Sequence, residues 1–406
     1  MRICGLTRLT LAHGAKGGLE VHVKTLSEGL VQHGHHVTVV TTPHPHGVDC
    51  EVDHGVRTYY CPSTEPARYS DLWCDESLGL LFKLHEREPF DVVWGEHDGA
   101  FYYLRKGKKD LRIPTVTILQ QSFLGGLRSQ WAEVRNNKNL GLLFVKELPR
   151  RVYDYLTKDL VYTRRADAVI APSEQSARDA RREYFLGANR VFASVNGVDV
   201  NRFRPLREEG DAARTKLGLS RSKRMVFTAS RLVRGKGIHL LIHAFKTILR
   251  EVPDAFLVIA GVGPAKQQLL ILVEEIGIAE KVVFLDYVSQ EELPALYSAC
   301  DLFVYPTMLY ESFGISVAEA MSCACPVVAA RSGGISTSID HEVNGFLYSP
   351  HRTEELIRWS IEALVNRELA KRVAKAARRK AELALSSERM IRDALGVFES
   401  VTSVGD

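Results

Sequence analysis

The chain has 406 residues, 45% of them hydrophobic and 25% charged, enough for two domains each with its own core. No apolar run reaches the length that crosses a bilayer, and the opening Met1-Arg-Ile-Cys-Gly-Leu-Thr7 reads as a strand start and not as a secretory leader. The net charge of +4 hides a split, with 8 Lys and Arg against 14 Asp and Glu in residues 1–100 and 20 against 10 in residues 101–204. Such asymmetry is compatible with peripheral contact at an anionic membrane. The basic clusters Arg105-Lys-Gly-Lys-Lys109 and Arg178-Asp-Ala-Arg-Arg182 lack interleaved aromatics, which argues against nucleic acid as a partner. Seven scattered cysteines without a Cys-x-x-Cys pair fit reduced thiols, so a cytoplasmic location is expected, with the inner face of the membrane as the place of any peripheral contact.

Short β-branched runs alternate with helix-like segments along the chain, the pattern of a parallel sheet made of βα units. The first series of predicted strands is Arg2–Leu6, Val37–Thr41, Val92–Trp94, Thr115–Leu119, Ala168–Ala171 and Val191–Val195. Gly17-Gly18-Leu-Glu20 follows the first of them and opens an apolar-periodic helix. Glycines there let the backbone approach a ligand, and N–H groups at a helix start favour phosphate. Lys16 stands just before. His97, in Trp94-Gly-Glu-His97-Asp98, ends the third predicted strand, where Glu96 or Asp98 could pair with it. Asn196-Gly197 reads as a turn at a domain edge. Residues 120–160 carry no interpretable motif. A linker is expected near Asn201-Arg-Phe-Arg-Pro205.

A second series begins afresh with Met225–Ala229, then Phe256–Ala260, Val282–Phe284, Leu302–Tyr305 and Val327–Ala330. Two successive series predict an α/β protein with two doubly wound domains facing each other across a cleft. Ligands of such sheets bind at the carboxyl ends of strands. Arg231-Leu-Val-Arg-Gly-Lys236 follows the first strand of this half, where an arginine fork and a lysine point charge can neutralise a diphosphate. Ala260-Gly-Val-Gly263-Pro is a strand-end turn that lacks the third glycine of the dinucleotide fingerprint, Lys266 standing in its place. In Glu311-Ser-Phe-Gly-Ile-Ser-Val-Ala-Glu319 a glycine leads into a helix between two carboxylates. Eight positions at about 1.5 Å each span roughly 12 Å, the scale of an elongated, polyhydroxylated anion. The amides around Phe313, Gly314 and Ile315 would face a diphosphate, and a carboxylate such as Glu319 accepts two ribose hydroxyls. The last stretch, from about Ser386 to Phe398, reads as helical.

The run from Asp301-Leu-Phe-Val-Tyr-Pro306 through Glu311, Glu319 and Cys325-Pro-Val-Val328 to Gly333-Gly334 and Asn344-Gly345 resembles the donor-binding half of the retaining GT-B glycosyltransferases of the GT4-type (group 1) family. Glu311 and Glu319 match that family's E-x7-E signature, and the resemblance covers most of the chain. It implies a GT-B fold of two Rossmann-like domains, residues 1–203 on the acceptor side and 204–385 on the donor side, with a final helix at about 386–406 packing back on the first. It implies that Gly17, Gly18, Arg231 and Lys236 meet the donor phosphates. Gly263 and Val288 lie near the base, His97 contacts the transferred sugar, and Glu311 anchors sugar hydroxyls. Ser173 matches a further family position. The implied activity is retaining transfer from a nucleoside diphosphate sugar to a hydroxyl of a glycan, lipid-linked or small-molecule acceptor, as in cell-envelope or polysaccharide synthesis.

No cofactor and no metal are expected, since the chain has no Asp-x-Asp and its 14 histidines show no ligand spacing. An inactive subunit that binds the nucleotide sugar without turnover stays open, as does an epimerase or phosphorylase of similar architecture. Three positions depart from the family pattern: Thr337 where glutamate is common, and Ala324 and Asp286 where glycine is usual.

Overall fold

Fourteen strands build two sheets in the computed structural model, which describes residues 1–13, 18–134 and 138–403. The first sheet contains β1 (Arg2–Leu6), β2 (His36–Thr41), β3 (Cys50–Asp53), β4 (Val56–Tyr60), β5 (Val92–Glu96), β6 (Thr115–Ile118), β7 (Ala168–Ala171) and β8 (Val191–Ala193). Their spatial order is β3-β4-β2-β1-β5-β6-β7-β8, parallel throughout except for the antiparallel edge pair β3–β4. The second sheet contains β9 (Arg224–Ala229), β10 (Ala255–Ala260), β11 (Val282–Leu285), β12 (Leu302–Tyr305), β13 (Val327–Ala330) and β14 (Phe346–Tyr348), all parallel, in the order β11-β10-β9-β12-β13-β14. Both orders are doubly wound, so each unit is Rossmann-like.

The central strands form where the sequence is continuously apolar, because helices cover both faces of a parallel sheet. All four residues of β12 and of β13 are buried. Three strands escape the sequence reading. The hairpin β3–β4 lies at an edge with Cys50, Val52 and Asp53 exposed, so it shows no apolar run; its turn is His54-Gly55, both at positive φ (46° and 81°). β14 has only three residues.

The chain divides into two compact units. The first comprises Met1–Leu124, Val145–Gly197 and Ser387–Asp406, the second Gly125–Phe144 and Val198–Ser386. Two boundaries differ from the sequence expectation. The crossing falls between Gly197 and Val198, and the amide of Val198 donates to Leu385 O at 2.8 Å, so both strands of the connection run side by side. Gly125–Phe144 belongs to the second unit, where Ser129 Oγ accepts from the amide of Tyr310 at 3.1 Å and donates to its carbonyl at 3.3 Å. A contact across 181 residues leaves no local pattern to read.

In the first unit the terminal helix Ser387–Thr402 turns Met390, Ile391, Ala394, Leu395 and Phe398 inward, at helical spacing, in a cluster with Val23, Leu26 and Leu30 of helix Gly18–Gln32. In the second, Leu241, Phe245 and Ile248 of helix Ile238–Glu251 are fully buried against β9, β10 and β12. Each such side chain contributes about 1.5–3 kcal/mol. Strand order reverses beside β1 and β5 in one unit and beside β9 and β12 in the other. Those carboxyl ends are where a ligand crevice opens in this architecture.

Candidate active site

In the second unit the loops leaving β9 and β12 meet. The amide of Met308 donates to Gly235 O at 2.8 Å, joining the loop that carries Lys236 to the one that carries Glu311. Gly237 adopts φ 70°, and a Cβ there would stand 1.9 Å from Pro306 O, so only glycine permits this approach. The result places Lys236 Nζ 2.6 Å from Glu311 Oε1 and 2.8 Å from the Tyr305 hydroxyl, while Thr307 Oγ1 donates to the same Glu311 oxygen at 2.8 Å. The two charged side chains are only 12% and 14% exposed. Burial acts to lower the Lys236 pKa, but Tyr305 and Glu311 outweigh it and raise it overall, so the ammonium stays charged.

Arg231 occupies the same loop with its side chain exposed and makes no ion pair among the described residues. The structure thus brings Lys236 and Glu311 together, and Arg231 forms an ion pair with neither residue. Phe313 is buried, and Gly314, at φ 85°, precedes helix Ile315–Ser322 in a left-handed conformation. The amides of Ile315 and Ser316, in the first turn, have no intrahelical acceptor. Beneath them the amide of Gly334 donates to Glu311 O at 2.7 Å. Gly263 lies in the turn after β10, and Val288 is half-buried in the loop after β11. Asp286 is exposed and ion-paired with Lys266, which gives the departure at that position a local partner.

Glu319 sits on the second turn of the same helix, 5% exposed, its Oε2 accepting from the Tyr297 hydroxyl at 2.8 Å. Burial pushes its carboxyl up to about 7, against the opposing pull of the Tyr297 hydrogen bond and of Arg202. Tyr297 is itself held edge-on by Phe227 and Phe303. The helix ends in a Schellman motif: Cys325 N donates to Ala320 O and Ala324 N to Met321 O, with Ala324 at φ 53°. The second departure from the family pattern is therefore an alanine held in a left-handed cap. At the third, Thr337 Oγ1 donates to Gly334 O at 2.7 Å.

In the first unit Lys16 and Gly17 lie outside the described residues, and Gly18 begins the first helix. His97 follows β5 directly with φ 51°, its amide donating to Ile118 O at 3.0 Å. Burial lowers the pKa of its imidazole, opposed by Glu96 and Asp98, while burial raises the Asp98 carboxyl. The sequence left open a pairing of Glu96 with His97. Instead Glu96, 1% exposed, places Oε1 2.9 Å from His22 Nδ1 and accepts at Oε2 from Gln120 Nε2 at 3.2 Å. Asn196 Nδ2 in turn donates to Gln120 Oε1 at 2.5 Å. Asn196 is thus the half-buried end of a polar chain that starts at buried His22 and Glu96, a role its turn chemistry did not show. Gln120 and Asn196 each follow a strand end, which was the available signal. Ser173 caps helix Glu174–Glu183, its Oγ accepting from Ser176 N at 3.1 Å. A cavity of about 380 Å³, lined by Phe123, Glu147, Arg150, Arg151, Asp154 and Asp159, also belongs to this unit. Burial, with Asp98 and Asp154, raises Asp159 to about 7.

Ligand atoms of a possible cation site converge, among the described residues, only at Glu28, Asp53 and His54 beside the β3–β4 turn, away from the strand ends at issue.

Two doubly wound units with ionisable groups at their switch points define a nucleotide-binding α/β architecture. The chain belongs to the GT4-type group 1 glycosyltransferases: residues 210–380 match the family described as glycosyl transferases group 1, and residues 16–202 match glycosyltransferase family 4. It is 30% identical over 362 residues to an uncharacterized glycosyltransferase of Methanocaldococcus jannaschii, covering 86% of this chain and 85% of the relative. Sucrose-phosphate synthase from Thermosynechococcus elongatus superposes with a TM-score of 0.79 at 20% identity over the whole of both chains. Anabaena HepE in complex with UDP-glucose gives 0.74 at 21% identity over 98% of this chain and 100% of its own. The protein is a glycosyltransferase with the GT-B fold.

Proposed function

We propose that the protein transfers a glycosyl group from a nucleoside diphosphate sugar to a hydroxyl, with retention of configuration and without a metal. The Lys236–Glu311 pair at the β9/β12 switch point carries this reading. A lysine kept charged at a strand end is suited to a diphosphate, and a carboxylate beside it to sugar hydroxyls. HepE, solved with UDP-glucose, supports the donor class.

As the glycosidic bond to the β-phosphate breaks, negative charge grows on the departing diphosphate. Lys236 stabilises it by donating to a phosphate oxygen, together with Arg231 and the first-turn amides at Ile315 and Ser316. Glu311 exchanges part of its contact with Lys236 for sugar hydroxyls and faces the positive charge developing at the anomeric carbon. Glu319, once ionised, accepts the ribose hydroxyls, with Tyr297 fixing its orientation. The acceptor oxygen bonds to the anomeric carbon on the face the diphosphate leaves, and its proton passes to the departing phosphate oxygen.

A thermal-shift screen of nucleoside diphosphate sugars identifies the donor, because a ligand that binds the native state raises its apparent stability. With that donor and an acceptor extract, Lys236→Ala and Glu319→Ala should each abolish transfer while circular dichroism is unchanged. Wild-type turnover in either variant would remove that residue from the mechanism, and donor binding without transfer to any acceptor would mark a non-catalytic binder.

A further inference from the structure

β12 reads Leu302-Phe-Val-Tyr305, and all four residues are buried. The first three carry no polar side-chain atom. The fourth ends the strand with a hydroxyl, on a residue that is 4% exposed. A phenylalanine would fill the same space, its ring against Phe303 (centroids 6.2 Å apart, planes at 22°). A hydroxyl buried in such a strand costs free energy unless it is hydrogen-bonded, so its partner shows its use.

That partner is Lys236. Its Nζ donates to the Tyr305 hydroxyl at 2.8 Å and to Glu311 Oε1 at 2.6 Å, and stands 5.3 Å from the centre of the Tyr305 ring. Burial pushes the Tyr305 pKa up to about 12, with Glu311 adding to the rise and Lys236 opposing it. The phenol is therefore neutral at pH 7, and its oxygen keeps a lone pair for the ammonium. Thr307 serves the carboxylate instead: its Oγ1 donates to Glu311 Oε1 at 2.8 Å and accepts from the amide of Leu309 at 3.1 Å.

An ammonium is a point charge with three donors on a flexible four-carbon stem, so a single contact does not aim it. Glu311 cannot anchor it throughout. In the donor reading, on which this inference rests, that carboxylate gives up part of its contact with Lys236 to the sugar hydroxyls. Tyr305 has no such second task, and a neutral acceptor leaves the positive charge of the ammonium undiminished for the diphosphate.

We propose that Tyr305 is a positioning residue for the donor diphosphate. Its hydroxyl holds Lys236 Nζ when Glu311 turns to the sugar, and so directs the remaining N–H groups at phosphate oxygens.

Titration calorimetry tests it with the diphosphates of uridine, guanosine and adenosine and with the matching nucleosides. The proteins are the wild type, Tyr305→Phe, Lys236→Met and the double variant. Tyr305→Phe should bind the diphosphate preferred by the wild type about tenfold more weakly, and its nucleoside equally well, with circular dichroism unchanged. The double variant should bind that diphosphate no more weakly than Lys236→Met, because the hydroxyl acts only through the ammonium. Wild-type diphosphate affinity in Tyr305→Phe overturns the inference and leaves Lys236 in its role. Losses that add in the double variant also overturn it, since the hydroxyl would then have a contact of its own. So does an equal loss of nucleoside and diphosphate binding, the mark of loops that have merely loosened. Unchanged affinity in Lys236→Met would remove the donor reading itself, and this inference with it.

Discussion

Glu319 departs far from its solution chemistry, and the consequence for stability can be worked through. Burial raises its carboxyl from 4.5 to about 7. Below pH 4.5 the group is protonated in folded and unfolded chains alike and contributes no difference. As pH rises from 4.5 to 7 the unfolded chain ionises first, so the folded state binds more protons and loses relative stability. Above 7 the loss is complete. At 1.36 kcal/mol per pKa unit it amounts to about 3 kcal/mol. Glu319→Gln keeps an acceptor for the Tyr297 hydroxyl and removes the ionisation. Urea unfolding of the wild type and the variant, measured from pH 4.5 to 8, should show the variant level with the wild type at the acid end and up to about 3 kcal/mol more stable at pH 8. Donor binding should carry the opposite sign. The ionised carboxylate accepts the ribose hydroxyls, so wild-type affinity should rise through pH 7 and the variant should lack that slope. A stability difference that does not change with pH refutes the reasoning.

Ala324→Gly should relieve the left-handed cap at φ 53°. The strain there is about 1–2 kcal/mol, partly offset by the greater unfolded-state freedom of glycine, leaving a gain of about 0.5–1 kcal/mol, or a Tm about 1–4 °C higher by calorimetry. Gly237→Ala should do the reverse: its Cβ would stand 1.9 Å from Pro306 O, so the two loops must part. Scanning fluorimetry should show a lower Tm and a reduced donor-induced shift, because Lys236 moves with the loop. Transfer should run at full rate in excess chelator, since Lys236 and Arg231 supply the cationic charge. Complete loss restored by magnesium would contradict this.

The central strands of both sheets were legible because a parallel strand covered on both faces must be apolar throughout, as β12 and β13 are. Edge elements follow a different rule. β3 is solvated, so its composition resembles a loop. The Lys236 and Glu311 positions were readable as strand-end residues, but their direct contact depends on Gly237 lying against Pro306, a meeting of loops 69 residues apart. Glu319 was expected to offer a carboxylate, yet its burial against Tyr297, and hence its raised pKa, is a tertiary property that its helix spacing does not encode. The His22–Glu96–Gln120–Asn196 chain is likewise assembled from four separate elements, each supplying one polar residue with no motif of its own. Residues 125–144 carried no pattern, and their membership of the second unit rests in part on Ser129 bonding to Tyr310.

The central claim is that Lys236 grips the donor's diphosphate. Titration calorimetry with nucleoside diphosphates of each base, and with the matching nucleosides, tests it most directly on the wild type and Lys236→Met. One diphosphate should bind the wild type well above its nucleoside, and the variant should lose at least about tenfold of that affinity while binding the nucleoside as before, the loss expected for one charge-assisted hydrogen bond. An unchanged diphosphate affinity in Lys236→Met would contradict the account.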